Sequence, residues 1–393
     1  MHELYLKKSA ERRLSRGHPW VYSNEIDVER SPLKGLEPGK EVAVLTEAGN
    51  RIGSGYASPG SLVSVRLMAR GNAPLDGLIM ARLERALKWR ERCYDEPYYR
   101  LVFAEGDDLP GLVVDRFGDQ LVVQLSTWGM EIRRAEITEA LTALIGPKTI
   151  HFDDSSTSRK LEGLPSNVVE TAAIDSADTR TRPQSVVENG IEFSIPAASQ
   201  KTGWYFDQRE NRAQASGWFA GQNVLDLYSY AGGWGIQAAA AGALSVHCVD
   251  SSEPALAAAA STAERLGLQV ITERAKVEAF LETSSRAKKR WDLVVLDPPA
   301  LIKRKKDIAK GTVKYRALTR QALQVVAPGG LLVSCSCSMH LDRMAHLAMV
   351  RAAARGEHRE LRIVAEGGLP MDHPTHAQLP EARYLSCWYF QVD

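Results

Sequence analysis

From about residue 196 onward, short apolar runs alternate with stretches of helical length, and that order restricts the fold more than any other feature. Val224-Leu-Asp-Leu-Tyr228 reads as a strand and is followed by an Ala-rich helix. Ser245-Val-His-Cys-Val249 reads as the next strand, before a second Ala-rich helix from Glu253 to Leu266. Leu293-Val-Val-Leu296 and Leu331-Leu-Val-Ser334 supply two more short apolar strands. A β-α-β-α order of this kind implies a doubly wound parallel sheet with helices on both faces.

The chain has 393 residues, too many for one ordinary core. Residues 1–70 read as a small β unit, with strand-like alternation in Glu41-Val-Ala-Val-Leu45 and Leu62-Val-Ser-Val-Arg-Leu-Met68 and turns at Pro38-Gly39 and Pro59-Gly60. After the polar break Arg70-Gly-Asn-Ala-Pro74, residues 76–93 carry apolar positions at Ile79, Leu83, Ala86 and Leu87, the period of a connecting helix. Gly118-Asp119 between Leu112–Phe117 and Gln120–Leu125 is a hairpin signal. Glu131 to Ile145 reads as one helix closed by Gly146-Pro147. Later strands are expected at Ile150-His-Phe and Ile191–Ile195. The expected architecture is multidomain α/β: a β domain over 1–70, a connecting helix and α+β domain over 71–195, and the Rossmann-like sheet over 196–393.

The net charge of +1 confines any nucleic-acid surface to local patches. No apolar stretch approaches the ~20 residues of a membrane span. The start, Met1-His-Glu-Leu-Tyr-Leu-Lys-Lys, lacks the apolar core of a signal peptide, so no membrane association and a cytoplasmic location are expected. The five cysteines (Cys93, Cys248, Cys335, Cys337, Cys387) have neither framework nor metal-site spacing, which favours reduced thiols and no metal.

In doubly wound sheets, ligands lie beyond the carboxyl ends of the strands. Asp226 is near one such end, with Gly232 and Gly233 after it to admit a close backbone approach. Asp250 follows the next strand, where a carboxylate can accept both hydroxyls of a ribose. Tyr230 and Trp234 interrupt any dinucleotide signature, and a bulky loop favours S-adenosylmethionine over a pyrophosphate-bearing cofactor. The alternative is an ordinary glycine-rich turn in a nucleotide-free sheet.

Asp297-Pro298-Pro299 follows an apolar strand as a stiff turn whose carboxylate and carbonyls can bond the amino edge of a planar base. By itself the string could be only a strand-ending turn. Ser334-Cys335-Ser336-Cys337-Ser338 ends the strand that follows Gly329-Gly330. Carbon 5 of a pyrimidine is too weak a nucleophile to be methylated unaided, and a thiolate adding at carbon 6 activates it. Most lone cysteines are inert and buried, but one at this strand end faces the base turn. Local reasoning leaves open whether Cys335 or Cys337 attacks. Cys93, Cys248 and Cys387 read as structural.

Long motifs extend this picture. Arg16-Gly-His-Pro-Trp20-Val-Tyr-Ser, Glu105-Gly-Asp-Asp-Leu-Pro-Gly-Leu-Val-Val-Asp115-Arg116, Arg159-Lys-Leu-Glu162-Gly163, Gln200-Lys-Thr-Gly203-Trp-Tyr-Phe-Asp207-Gln208-Arg209 and Asp372-His373-Pro374 span nearly the whole chain. On these residues the chain resembles the bacterial RlmI-type 23S ribosomal RNA (cytosine-C5)-methyltransferases, which join a PUA domain to an S-adenosylmethionine-dependent methyltransferase. The resemblance implies that Cys337 is the nucleophile, because Cys335 occupies a position that is usually not cysteine. It implies Asp297 at the base, and Asp207, Arg209, Asp226, Tyr228, Gly232, Gly233, Asp250 and Ser251 at the cofactor. Three departures are visible. Ala300 follows the base turn where many RNA cytosine methyltransferases have a second cysteine, Lys276 stands near a position often held by an acid that meets adenine, and Ser199 replaces a glycine.

The implied partner is 23S ribosomal RNA. Lys303-Arg304-Lys-Lys306, directly after Pro298 and Pro299, could supply phosphate contacts, or could be a solvated loop. Trp20 could stack on a base, although core aromatics are commoner. Oligomeric state stays open, with a homodimer among the alternatives. Two competing functions are a guanine-nitrogen methyltransferase of the same fold, which needs no thiol, and a non-catalytic RNA-binding or ribosome assembly factor.

Overall fold

The computed structural model describes residues 1–165, 169–173, 184–196 and 203–393. Ser199, Gln200, Lys201 and Thr202 of the motifs above lie outside the described residues. The chain divides into two compact units, Met1–Arg182 with Met371–Pro380, and Pro183–Pro370 with Glu381–Asp393.

In the first unit, β1 (His2–Tyr5), β2 (Trp20–Tyr22), β3 (Glu41–Leu45), β4 (Arg51–Ala57) and β5 (Val63–Arg70) form a sheet in the order β1-β3-β4-β5-β2. A short helix, α1 (Glu11–Ser15), lies between β1 and β2, so this region is not purely β as its alternation suggests. Five residues are too few for helical periodicity to register. The helix α2 (Leu78–Cys93) buries Ile79, Leu83, Ala86 and Leu87, the positions its sequence period marks. It packs on a second sheet of β6 (Tyr98–Phe103), β7 (Leu112–Phe117), β8 (Gln120–Leu125), β9 (Thr149–Asp153) and β10 (Val169–Ala173) in the order β10-β9-β8-β7-β6. β7 and β8 pair as the expected hairpin around Gly118 and Asp119. Tyr56 of β4 and Met68 of β5 belong to the same core as α2, so the two sheets share one apolar interior.

The single helix expected over 131–145 is two: α3 (Trp128–Glu131) and α4 (Arg134–Ile145). At the break, Arg133 donates to the Gly129 carbonyl and to Glu41, and its guanidinium lies 3.6 Å from the centroid of the Tyr56 ring. Those tertiary contacts outweigh continuous helical periodicity. A five-residue helix, α5 (Thr157–Leu161), completes the unit.

The second unit opens with a hairpin of β11 (Ser185–Glu188) and β12 (Ile191–Ser194), then α6 (Arg209–Ala215). Its sheet comprises β13 (Asn223–Leu227), β14 (Ser245–Asp250), β15 (Ile271–Arg274), β16 (Trp291–Leu296), β17 (Val326–Ser336), β18 (Leu361–Gly367) and β19 (Ser386–Val392). The order is β15-β14-β13-β16-β17-β19-β18. The first five strands pair in parallel, as their apolar runs predict, and β19 runs antiparallel between β17 and β18. Helices α7 (Gly233–Ala240), α8 (Glu253–Arg265), α9 (Val277–Arg286), α10 (Ile308–Leu323) and α11 (Arg343–Gly356) connect the strands.

Alternate strand residues face two separate cores. Leu225, Leu227, Val294 and Leu296 meet α9, α10 and α11, whereas Val224, Leu293 and Val295 meet α6, α7 and α8. This is the two-residue period of a strand expressed on a sheet covered on both faces. Helix starts follow side-chain chemistry. Ser252 accepts from the Ala255 N–H at 3.4 Å to cap α8, and Asp342 accepts from the Ala345 N–H at 2.8 Å to cap α11.

Candidate active site

The β13–α7 loop turns sharply. Tyr228 has φ +61°, Tyr230 φ +50° and Gly232 φ +77°. The left-handed region costs a non-glycine residue roughly 1–2 kcal/mol, so the two tyrosines are held there by other contacts. The Tyr230 N–H donates to Asp250 Oδ2 at 3.0 Å, and its hydroxyl donates to the Gly203 carbonyl at 3.0 Å. Tyr228 packs against the α9–α11 core.

Asp226 is wholly buried on β13. Its Oδ2 accepts from the Gly235 N–H at 2.9 Å, and its Oδ1 is buried without a hydrogen-bond partner among the described residues. Loss of hydration pushes its carboxyl up to about 7, partly opposed by the Gly235 bond. Asp226 therefore braces the first turn of α7 from the interior. Gly235 itself is obligatory, since a Cβ there would lie 2.3 Å from Cys248 Sγ and 3.3 Å from Asp226 Oδ2. Gly233 packs on the Arg212 guanidinium, which a Cβ would meet at 2.9 Å.

Asp250, at the end of β14, accepts from the N–H groups of Tyr230 (3.0 Å) and Ser252 (2.8 Å). Those two bonds orient the carboxylate and leave acceptor capacity on both oxygens. Ser251 is exposed beside it. Lys276 is exposed just after β15 and offers no acceptor.

Asp297 sits at the end of β16. Its Oδ1 accepts from Gln208 Nε2 at 2.9 Å and its Oδ2 from Trp234 Nε1 at 3.1 Å. Desolvation raises its carboxyl to about 6; the Trp234 bond and the Arg212 charge oppose the rise, and the Asp207 charge adds to it. Asp207 accepts from the Tyr384 hydroxyl at 2.7 Å. Arg209 is buried, 3.9 Å from Glu188. Glu188 is itself 1% exposed and accepts from Arg212 (2.7 Å), Trp204 Nε1 (2.8 Å) and Gln237 Nε2 (3.0 Å). This buried charge cluster ties the β11–β12 hairpin to α6 and α7, directly behind the glycine loop.

The two neighbouring cysteines have different surroundings. Cys335, the penultimate residue of β17, is 1% exposed, and its sulfur lies 3.3 Å from that of Cys387 on β19. Burial pushes its thiol well up. Cys337 lies past the end of β17 and is half-buried, with its Sγ 3.7 Å from the Pro298 carbonyl of the Asp297-Pro298-Pro299 turn. Pro298 is buried and Pro299 exposed. The Tyr205 phenol is raised to about 12, first by desolvation and then by Asp207, Cys337, Asp297 and Asp250. One aromatic ring is thus within electrostatic reach of the thiol and of three carboxylates. Lys303, Arg304, Lys305 and Lys306 are exposed after the turn, and Arg304 pairs with Asp307 at 2.8 Å. Trp20 belongs to the other unit, half-buried, with its indole N–H donating to Glu105 at 3.0 Å.

Comparison with known proteins identifies the units. Residues 4–70 match a PUA-like domain, and residues 170–364 match an S-adenosylmethionine-dependent methyltransferase. A protein of Vibrio cholerae, ribosomal RNA large subunit methyltransferase I, is 32% identical over 97% of both chains. The chain belongs to that methyltransferase family. Two solved structures share the fold along their full length. A candidate SAM-dependent methyltransferase from Streptococcus mutans and a candidate methyltransferase complexed with SAH each give a TM-score of 0.80 at 20% identity, covering 100% of both chains.

The cofactor of this methyltransferase family is S-adenosylmethionine, and the residues present fit it. Asp250 has acceptors to spare, and among the described residues Ser229 Oγ is buried without a hydrogen-bond partner beside it in the loop. Among the described residues, no helix is long and apolar enough to cross a membrane. Sequence reasoning gave no role in the site to Tyr205, Gln208, Trp234, Tyr315 or Tyr384. Their partners are at least 63 residues away for Gln208 and Trp234 and 177 for Tyr384, and no local pattern reports such pairs.

Proposed function

We propose that this methyltransferase forms 5-methylcytosine in large-subunit ribosomal RNA, with Cys337 as its covalent nucleophile. The carrying observation is the contrast between the two thiols. Cys337 Sγ is half-buried against the Pro298 carbonyl, whereas Cys335 is buried against Cys387. The Vibrio cholerae relative, named for large-subunit ribosomal RNA, supports that choice of RNA. A guanine-nitrogen methyltransferase would have no use for the half-exposed thiol.

In this reading Asp250, Ser251, Tyr228, Asp207, Arg209 and the Asp226–Gly233 loop hold S-adenosylmethionine. The bound cofactor supplies an electrophilic methyl group. The Cys337 thiolate adds to carbon 6 of a cytosine, and the electron pair of the carbon 5–carbon 6 double bond moves to carbon 5 and, through carbon 4, onto ring nitrogen 3. Asp297, raised to about 6, exchanges a proton near neutral pH and is suited to share one with that nitrogen. After carbon 5 is methylated, a base removes its proton, the double bond re-forms and the thiolate leaves. Gln208 and Trp234 keep the Asp297 carboxylate oriented throughout.

A base within folded RNA must leave its stack to meet Cys337. The exposed run from Lys303 to Lys306 follows the base turn closely enough to hold the flanking phosphates. The PUA-like residues 1–70, with Trp20, would bind RNA beyond the target, 71–195 would form the connecting domain and 196–393 the catalytic one. Such an enzyme works in the cytoplasm, where ribosomal RNA is made and assembled in bacteria.

RNA bisulfite sequencing of the parent, a deletion strain and the deletion strain carrying Cys337→Ala tests the reading. One large-subunit cytosine should lose protection in the deletion strain and stay unprotected with Cys337→Ala. Identical cytosine maps in parent and deletion strains would rule out the cytosine chemistry.

A further inference from the structure

We infer that Tyr315 is the positioning residue for the Cys337 thiol, acting by clamping the thiol-bearing turn to the base-binding turn. The inference rests on Cys337 being the nucleophile and concerns how its sulfur is held in place.

Tyr315 lies on α10 and is 1% exposed. Among the described residues its hydroxyl oxygen meets three polar groups from two chain segments. Ser338 Oγ is 2.8 Å away and Ser336 Oγ 3.2 Å, one on each side of Cys337, and the Leu301 N–H donates to it at 3.4 Å. Ser338 Oγ also accepts from the Ile302 N–H at 3.2 Å, and the Ser338 N–H donates to Ser336 Oγ at 3.4 Å. Leu301 and Ile302 continue directly from Asp297-Pro298-Pro299-Ala300. One buried phenol therefore joins both serines of the Ser-Cys-Ser motif to the chain leaving the base turn.

This arrangement gives the motif a physical reason. β17 ends at Ser336, so Cys337 lies one residue beyond the strand. The two serines meet one buried hydroxyl on either side of it, while the cysteine sulfur lies against the Pro298 carbonyl. Catalysis requires a reacting atom to be held within a few tenths of an ångström of its productive position. A hydroxyl on a packed helix serves that purpose better than a loop contact does. Gly311, one turn before Tyr315, lies where a Cβ would meet Ile302 Cγ1 at 2.3 Å and the Leu301 carbonyl at 3.0 Å. The helix thus also presses against the 301–302 segment that the phenol binds.

The test uses the full-length protein with large-subunit ribosomal RNA from the deletion strain, and iodoacetamide as a probe of Cys337 read by peptide mass spectrometry. Tyr315→Phe keeps the ring and removes only the hydroxyl. It should lower kcat at least 10-fold, leave the dissociation constant for S-adenosylmethionine within 2-fold, and speed alkylation of Cys337 at least 3-fold as the sulfur comes away from Pro298. Ser338→Ala should move both readouts in the same directions, and serves alone if Tyr315→Phe fails to fold. Unchanged kcat, or a lower kcat with unchanged Cys337 alkylation, overturns the positioning role. Full activity in Cys337→Ala would instead overturn the nucleophile, leaving the alkylation result to report on the clamp by itself.

Discussion

At the scale of single residues, the proposed chemistry depends on which of two near-identical thiols has room to react. Cys335 lies within a strand, packed against Cys387, and burial pushes its thiol well up, which keeps it protonated and inert. Cys337 is one residue beyond the strand, half-buried and beside Pro298. Cys337→Ala should lower turnover by at least 1,000-fold, on the order of the losses seen when a covalent nucleophile is removed, with cofactor affinity kept, as calorimetry and a methyl-transfer assay would report. Cys335→Ala should retain turnover within a few-fold and lose about 1 kcal/mol of stability or less in chemical denaturation, since only a sulfur leaves the core. Activity in Cys337→Ala together with loss in Cys335→Ala would reverse the assignment. The motif Ser-Cys-Ser-Cys-Ser contains both cysteines, and local reasoning left them alike; their different surroundings follow from where the strand stops.

At the scale of elements, α7 and the β11–β12 hairpin decide whether the glycine loop keeps its shape. Gly235 has no space for a side chain, with Cys248 Sγ 2.3 Å from an added Cβ. Gly235→Ala should cost about 1–3 kcal/mol, the usual range for overpacking, and should weaken S-adenosylmethionine binding, as denaturation and calorimetry would show. Glu188 carries the hairpin's link to α6 and α7. Glu188→Ala would leave Arg212 buried without its carboxylate and take acceptors from Trp204 and Gln237. A loss of about 3–5 kcal/mol is expected, as for a broken buried pair. A Glu188→Ala protein as stable as the parent would contradict the proposed bracing of the loop. Helices and strands were readable here because their apolar periods are strong. The α3–α4 break was not, because Arg133 finds Glu41 and Tyr56, far away in the chain.

At the scale of the whole molecule, stability should carry the mark of Asp226. Its carboxyl is raised to about 7 in the fold, against roughly 3.9 for an unfolded chain. Between those values the folded state holds a proton that the unfolded state has released, so the contribution to stability falls as pH rises from about 4 to 7 and levels off above. Asp297, raised to about 6, acts in the same direction over the lower part of that window. His346, buried between Ser334 and Ser386 and lowered to about 3, acts oppositely: stability rises as pH climbs from about 3 to 6.5. Comparing Asp226→Asn with the parent cancels the His346 contribution, and the charge on Asp297 acts on Asp226 within the same window. Denaturation from pH 4 to 8 should show the variant gaining on the parent by up to ~4 kcal/mol. Parallel curves for the two proteins would mean that Asp226 is already ionised at pH 4.

By itself the sequence determined the class of fold and the succession of strands and helices along the chain, and it marked out the glycine-bearing loop and the Asp297-Pro298-Pro299 turn, because each is written in local periods and in neighbouring residues. Only the tertiary structure decided that Asp226 braces a helix while Asp250 keeps free acceptors, that Gln208 and Trp234 share Asp297, and that Tyr315 gathers two serines around Cys337. The physical reason is range. Hydrophobic period and turn chemistry act over a few residues, whereas burial and hydrogen bonding of a polar side chain depend on whatever the folded chain brings alongside it.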